Sequence, residues 1–288
     1  DILMSLIVMK CIVCGNTEPV KYADNSGLDL HVYQCKQCKL YFTGNSESTI
    51  KEKTSMLYHG QYWDERKSEF SLKSNYIDPD SQSKKRNWVS QYSYCKSYFN
   101  KDKKTILEIG AGAGQASFWF EEKGFFVTAI EPDERNVRLI NEKLTNGYCT
   151  QGFIEDVEIE GKFDVIWMSH VLEHLVRPDL FLKKIRENLQ ENGMFFIEVP
   201  NCENTVMLKA SINEPHTFHF SKNTLLNLVK NSGYKIECCD FFRPATIIEG
   251  GLNRIIKNTG VKVDHFTYYP RIKTSNKKGR DLRLIIRK

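Results

Sequence analysis

From Lys103 onward, short apolar runs alternate with amphipathic stretches of helical period, a pattern that few architectures other than a layered α/β fold can satisfy. Thr105–Ile109 is apolar and runs into a glycine loop, after which Gln115–Lys123 reads as a helix. Phe125–Ile130, Tyr148–Gly152, Phe163–Met168, Met194–Val199, Tyr234–Asp240 and Leu282–Ile286 continue the strand series. Helices are predicted over Arg135–Lys143, Leu180–Leu189 and Lys222–Asn231, with Asn192-Gly193 as a C-terminal stop after the second and Ser221 as N-cap of the third. Connections of this kind cross right-handed between parallel strands. The expected fold class is therefore α/β: a doubly wound, mostly parallel, seven-stranded sheet with helices on both faces.

Four of the nine cysteines stand apart from this pattern, as Cys11-Ile-Val-Cys14 and Cys35-Lys-Gln-Cys38. Two C-x-x-C knuckles at this separation bring four thiolates together as a closed tetrahedral zinc site, in the manner of a zinc ribbon. Such a site has no open position for water, so its expected role is structural, and metal binding supplies folding free energy to a segment with little core of its own. Cys95, Cys149, Cys202, Cys238 and Cys239 lie in helix or strand contexts and read as small core residues. The predicted organisation is a zinc-binding module over 1–45, a polar helical linker or lid over 46–102 and an α/β domain over 103–288. Within the linker a helix is expected around Ser83–Phe99, after the Ile77-Asp-Pro-Asp80 turn.

Composition narrows the setting. Hydrophobic residues make up 41% of the 288 and charged residues 27%, enough apolar material for a sizeable core. The net charge of +5 is too small to argue for nucleic acid without clustering. An odd cysteine count with no secretory signal points to a reducing, cytoplasmic setting. The apolar run in DILMSLIVMK is too short to span a bilayer and lacks a charged region before it and a cleavage site after it. It reads as a cloning remnant, an alternative start or a buried first strand.

The glycine loop is Glu108-Ile-Gly-Ala-Gly-Ala-Gly114. Glycines at a strand–helix turn let the backbone approach a ligand at the helix N-terminus. The spacing is not the dinucleotide G-x-G-x-x-G, and no P-loop lysine follows. Glu131 ends the next strand in Val-Thr-Ala-Ile-Glu131, where a carboxylate beside the loop can accept both hydroxyls of a ribose.

With these features, and with FDVIWMSHVLEHL followed by a helix and GMFFIEVPN, residues 103–288 resemble the class I S-adenosylmethionine-dependent methyltransferases, which have a Rossmann-like fold. The resemblance implies that Gly110, Gly112 and Gly114 line the methionine and ribose portions of the cofactor, with Glu108 near its amino group and Glu131 on the ribose. Gly152-Phe-Ile-Glu-Asp156 would pass the adenine, through Ile154 and Glu155. Ser169 and His170, after the fourth strand, would face the methionine end. SHVLEHL also spells the H-x-x-E-H of a zinc peptidase, but the apolar strand before it and Pro178 after it leave little room for the long helix that site needs.

Methyl transfer to oxygen or carbon requires removal of a proton, for which histidine suits. Asn213-Glu-Pro-His-Thr-Phe-His-Phe-Ser221 places Glu214, His216 and His219 on a loop at the carboxyl edge of the sheet. In the sugar C-methyltransferases, which also carry a cysteine-rich N-terminal module, a Tyr-x-Glu-His cluster occupies this loop and includes the base. Here the tyrosine is absent and a proline intervenes. Family members of this core often cover the cofactor with a tyrosine-bearing helix, for which Tyr62, in Tyr58-His-Gly-Gln-Tyr62, is the expected residue. The resemblance implies a small acceptor, a sugar or nucleotide-sugar. Two alternatives remain: a ribosomal or transfer RNA methyltransferase gripping nucleic acid through the zinc module, and a catalytically silent cofactor-binding regulator. Residues 1–45 hold only Lys10, Lys21, Lys36 and Lys39 as basic groups, sparse for phosphate binding, and the basic run Arg271–Arg280 reads as a solvated loop.

Overall fold

The computed structural model describes residues 9–58, 82–99, 104–246, 248–249 and 271–288. The expectations for residues 1–8, for Ile77–Asp80 and for Tyr62 lie outside the described residues.

The cysteine-bearing segment forms antiparallel strands β1 (Pro19–Asn25), β2 (Leu30–Cys35) and β3 (Tyr41–Thr43). Between β1 and β2 the Asn25 side chain accepts from the Leu28 amide at 2.9 Å, bridging the turn. Helix α1 (Glu47–Met56) starts at Ser46, whose hydroxyl accepts from Thr49 N. Lys51 and Glu47 of α1 pair with Asp156 (2.6 Å) and Arg177 (2.7 Å) of the α/β domain. Helix α2 (Gln82–Cys95) continues into a 3₁₀ turn over Lys96–Tyr98, close to the expected helix.

The domain then alternates β4 (Thr105–Ile109), α3 (Gln115–Glu122), β5 (Phe126–Glu131), α4 (Glu134–Lys143), β6 (Gly147–Gln151) and β7 (Phe163–Ser169). It continues with α5 (Pro178–Ile185), β8 (Leu189–Pro200), α6 (Thr205–Asn213), β9 (Phe218–His219), α7 (Lys222–Asn231), β10 (Lys235–Pro244), β11 (Arg271–Thr274) and β12 (Asp281–Arg287). The main sheet has the order β11-β10-β12-β8-β7-β4-β5-β6. Strands β8, β7, β4, β5 and β6 are parallel, and β12, β10 and β11 are antiparallel additions. All seven anticipated strands are present. The addition is the edge strand β11, so the basic run from Arg271 is in part paired structure, its first guanidinium tied to Asp281 at 2.8 Å.

Two local expectations change. Helix α5 stops at Ile185 and passes through a 3₁₀ turn, so Asn192-Gly193 is not its cap. Both lie within β8, where the register against β7 shifts between Phe163↔Leu189 and Val165↔Met194. A Cβ on Gly193 would sit 2.8 Å from Gln190 O, so the glycine marks an irregularity in the strand, not a helix end. Ser221 caps α7 as expected, with Thr224 completing a capping box.

Strand β4 is buried on both faces: Leu107 and Ile109 join one hydrophobic cluster and Ile106 the other, as parallel strands between helix layers require. The first cluster continues into the cysteine segment through Cys11, Val13, Leu40 and Phe42. Strand β9 hydrogen-bonds to β3, so the small sheet β1-β2-β3 takes its fourth strand from the domain. Among the described residues no helix is long and apolar enough to cross a membrane.

Candidate functional site

The turn after β4 is built on left-handed backbone: Gly110, Gly112 and Gly114 have φ of +70°, +56° and +78°. A Cβ on Gly110 would lie 2.4 Å from Val171 Cγ2, so this position needs glycine for space as well as conformation. Glu131, at the end of β5, accepts from Gly112 N at 2.9 Å and from Asp133 N at 3.2 Å. Loop and carboxylate are thus held in one arrangement, and they border a cavity of about 300 Å³.

Of the residues expected to bind a cofactor, Gly110, Gly112, Glu131, Ile154, Glu155, Ser169 and His170 line this cavity. Gly114 caps α3 instead, and a Cβ on it would strike Ile140. Glu108 is buried beside α3, where Ser117 Oγ donates to it. The Glu155 carboxylate is engaged at the start of α5, accepting from Val176 N (3.0 Å) and Arg177 N (2.8 Å), so its side chain serves to join two loops. Tyr58, Trp88, Phe153 and His174 also line the cavity.

Burial sets the charge state of the two acidic groups. It raises the Glu108 carboxyl to about 8, against the opposing hydrogen bond from Ser117 and with the Glu131 charge adding to the rise. It raises Glu131 to about 7, against the backbone amides of Gly112 and Asp133.

The SHVLEHL segment is not a helix. Strand β7 ends at Ser169, His170 takes φ +55°, and one 3₁₀ turn spans Leu172–His174. A non-glycine residue in left-handed backbone is strained, and such residues gather at functional sites. The His170 ring lies between Glu173 (3.3 Å) and Glu198 (3.4 Å). Desolvation of the ring's inner edge would lower its pKa, but the hydrogen bonds and charges of the two glutamates raise it above the ordinary value, which favours the cation. Glu198 in turn pairs with buried Arg283 and accepts from Gln91 Nε2 at 2.7 Å.

The expected base loop does not reach the cavity wall. His216 is buried behind His174, their ring centroids 4.6 Å apart, and its Nδ1 lies 2.7 Å from Ser211 Oγ. His219 lies on β9 and shares that hydroxyl at 2.7 Å; burial, helped by His174, lowers its pKa to about 3, so it stays neutral. Glu214 is half-buried, and its carbonyl accepts from His216 N at 2.7 Å. The residue facing the cavity is His174, whose Nδ1 is 3.0 Å from Pro215 O and 2.7 Å from Tyr58 OH. In the sequence His174 is only the second histidine of HVLEH, and Tyr58 is overshadowed by Tyr62.

Cys11, Cys14, Cys35 and Cys38 converge at the other end of the small sheet, their sulfurs all within 4.8 Å of one another. Cys11 and Cys38 are 3.5 Å apart and Cys14 and Cys35 3.4 Å. Each knuckle ends in a left-handed residue, Gly15 (φ +76°) and Lys39 (φ +65°), whose amide turns back onto the carbonyl of the first cysteine. Four converging thiols with no disulfide between them are the donor set a tetrahedral zinc ion takes.

Comparison with known proteins agrees with this geometry. The ubiquinone biosynthesis O-methyltransferase of Caulobacter vibrioides is 33% identical over 104 residues, 34% of this chain and 41% of that relative. The chain thus spans about two fifths of the length of that curated relative. An S-adenosylmethionine-dependent methyltransferase from Mesorhizobium loti superposes with a TM-score of 0.53 at 13% identity, over 69% of this chain and 98% of that one. The plantazolicin methyltransferase BamL, solved with S-adenosylhomocysteine, gives 0.54 at 12% identity over 85% and 99%. At these identities the two structures show a shared fold. Residues 82–238, more than half of the chain and spanning α2, the glycine turn, Glu131 and the histidine loop, match the methyltransferase domain family, and the chain belongs to that family.

Proposed function

We propose that this domain transfers the methyl group of S-adenosylmethionine to a hydroxyl or carbon of a small, sugar-like acceptor, and that the four cysteines hold a structural zinc. The observation that carries the reading is one cavity with Glu131 and the glycine turn on one side and the histidine-bearing turn 170–174 on the other. Gly110, Gly112 and Glu131 would hold the ribose and the adjoining chain, with Ile154 and Phe153 at the adenine. Glu108 stands near the amino group, and cationic His170 suits the methionine carboxylate. When bound, the cofactor supplies an electrophilic methyl group on a sulfonium.

His174 is the base in this reading. Its Nδ1 lies 3.0 Å from Pro215 O, which can only accept, and 2.7 Å from Tyr58 OH, which can accept as well as donate; a hydrogen on Nδ1 satisfies both oxygens and leaves the lone pair on Nε2. His216 and the Ser211 hydroxyl support the ring from behind, and Tyr58 takes the part expected of Tyr62. A phenolic hydroxyl is the second reading of the acceptor, favoured by the ubiquinone biosynthesis relatives and by Trp88 and Tyr58 on the wall. Incubating the full chain with methyl-labelled cofactor and panels of nucleotide-sugars, phenols and RNA decides the matter. Label on a sugar supports the first reading and label on a phenol the second. Label on RNA alone, with salt-dependent binding, sinks both.

Two consequences are directly measurable. Only the ionised Glu131 can accept from both ribose hydroxyls through both oxygens, yet in the free protein its pKa is raised to about 7. Cofactor binding therefore releases a proton below that pH, and affinity falls about tenfold per unit as pH drops below 7 and levels off above it. Calorimetry of S-adenosylhomocysteine in buffers of different ionisation enthalpy reads that proton; a pH-independent affinity contradicts the assignment. For the cysteine site, elemental analysis is expected to find one equivalent of zinc, and Cys35→Ser to lose it and lower the melting temperature by roughly 5 to 10 °C.

A further inference from the structure

We infer that the turn between β1 and β2, Asn25–Leu28, is a clamp on the loop 213–217 and, through Pro215, a positioning element for the ring of His174. The inference rests on the reading of His174 as the base. Three consecutive residues of the turn meet the loop. Asn25 Nδ2 donates to His216 O at 2.9 Å, a buried bond. Ser26 Oγ lies 3.1 Å from Asn213 Oδ1. Gly27 is packed so closely that a Cβ would sit 2.5 Å from Glu214 C and 2.7 Å from Pro215 N. From β3, Thr43 Oγ1 donates to the same His216 carbonyl at 3.3 Å, and Thr43 N donates to Thr217 O at 2.8 Å.

The far side of the loop is fastened to the cavity wall. Thr217 N donates to Glu173 O at 2.8 Å and its hydroxyl to Leu175 O at 2.6 Å. The loop is thus held between the cysteine segment and the 170–175 turn, and its Pro215 carbonyl is aimed at His174 Nδ1. A backbone carbonyl is an acceptor only, so held at this distance it keeps the hydrogen on Nδ1; withdrawn, it leaves Tyr58 OH, 2.7 Å from the same nitrogen, free to donate to Nδ1 and move the hydrogen to Nε2. Proline at 215 brings no N–H of its own, so Gly27 can lie flat against the Glu214–Pro215 peptide with no donor left buried there. The cysteine segment therefore contributes to the reactive end of the cavity without lining it. Its hairpin turn and β3 keep one carbonyl in place.

The test uses the full chain bound to S-adenosylhomocysteine, with two readouts that need no acceptor: ring-nitrogen chemical shifts of His174 and amide exchange across 214–217. Wild type is expected to show the Nδ1–H tautomer and slow exchange. Gly27→Ala, which wedges the turn off the loop, is expected to yield a mixture of tautomers and exchange about tenfold faster or more. Thr43→Val is expected to move both readouts in the same direction, and Thr43→Ser, which keeps the hydroxyl, to leave them as in wild type. Should Gly27→Ala fail to fold, the Thr43 pair still decides. Stripping metal from the cysteines with a chelator is expected to speed the same amides. Unchanged tautomer and exchange in Gly27→Ala, or in Thr43→Val where Gly27→Ala does not fold, overturns the clamp. Turnover by His174→Ala would instead overturn the base assignment and leave the clamp measurements standing.

Discussion

Replacing Glu131 by alanine is expected to raise the dissociation constant for S-adenosylhomocysteine by ~10²- to 10⁴-fold, since two hydrogen bonds to a charged group contribute about 1.5–3 kcal/mol each. The side chain acts on both sides of the contact. It is nearly fully buried, and it organises the turn by accepting from Gly112 N and Asp133 N. Truncation would therefore leave the Gly112 and Asp133 amides without this acceptor as well as remove the proposed ribose contact, so the loss is expected at the upper end. Glu131→Gln keeps one carbonyl oxygen but offers an N–H₂ group to amides that also donate, and it is expected to weaken binding less than alanine. Isothermal calorimetry on folded protein checks both. Binding by the alanine variant within about threefold of wild type would remove the central support for the cofactor site.

The second large effect is expected at His174. His174→Ala should lower kcat by ~10²- to 10⁴-fold, the range for loss of a general base, while S-adenosylhomocysteine affinity stays within about threefold. His216→Asn is expected to have a smaller effect in the same direction, because it removes a ring that packs on His174 from behind. Loss of kcat in both, with the acidic limb of the pH profile displaced only when His174 is intact, fits His174 as the titrating group. A full loss in His216→Asn together with normal turnover in His174→Ala would return the role to the loop histidine named from the sequence.

The contrast between His216 and His174 shows where the sequence is readable and where it is not. Buried parallel strands announce themselves, because Ile106, Leu107 and Ile109 must all be apolar to face helices on both sides. Glycines with forced left-handed backbone and a carboxylate at the next strand end are equally visible, as is the repeated C-x-x-C. The 213–221 loop is visible too, but its direction is not: whether His216 points into the cavity or stands behind its wall depends on how the adjoining helix aims Ser211 and on the segment 170–174, which lies elsewhere in the chain. His174 carries no sequence signal of its place because no periodicity marks a single 3₁₀ turn. Strand β9 is only two residues long, Phe218 and His219, too few for alternation to register. Gly193 carried a helix-stop signal that the bulge in β8 overrode.

The shared small sheet has a consequence for how the chain is made. Asn25 and His216 are 191 positions apart, and β3 meets β9 across a similar separation. On the ribosome the cysteine knuckles emerge before the α/β domain, and the edge of β3 has no partner until most of that domain has been synthesised. An open strand edge is a pairing hazard for as long as it persists. Closure of this sheet is thus a late, non-local event of the kind that slows folding. A stalled or truncated nascent chain ending before residue 218 would present this hairpin with its edge bare, a form that a neighbouring chain or a chaperone would meet first.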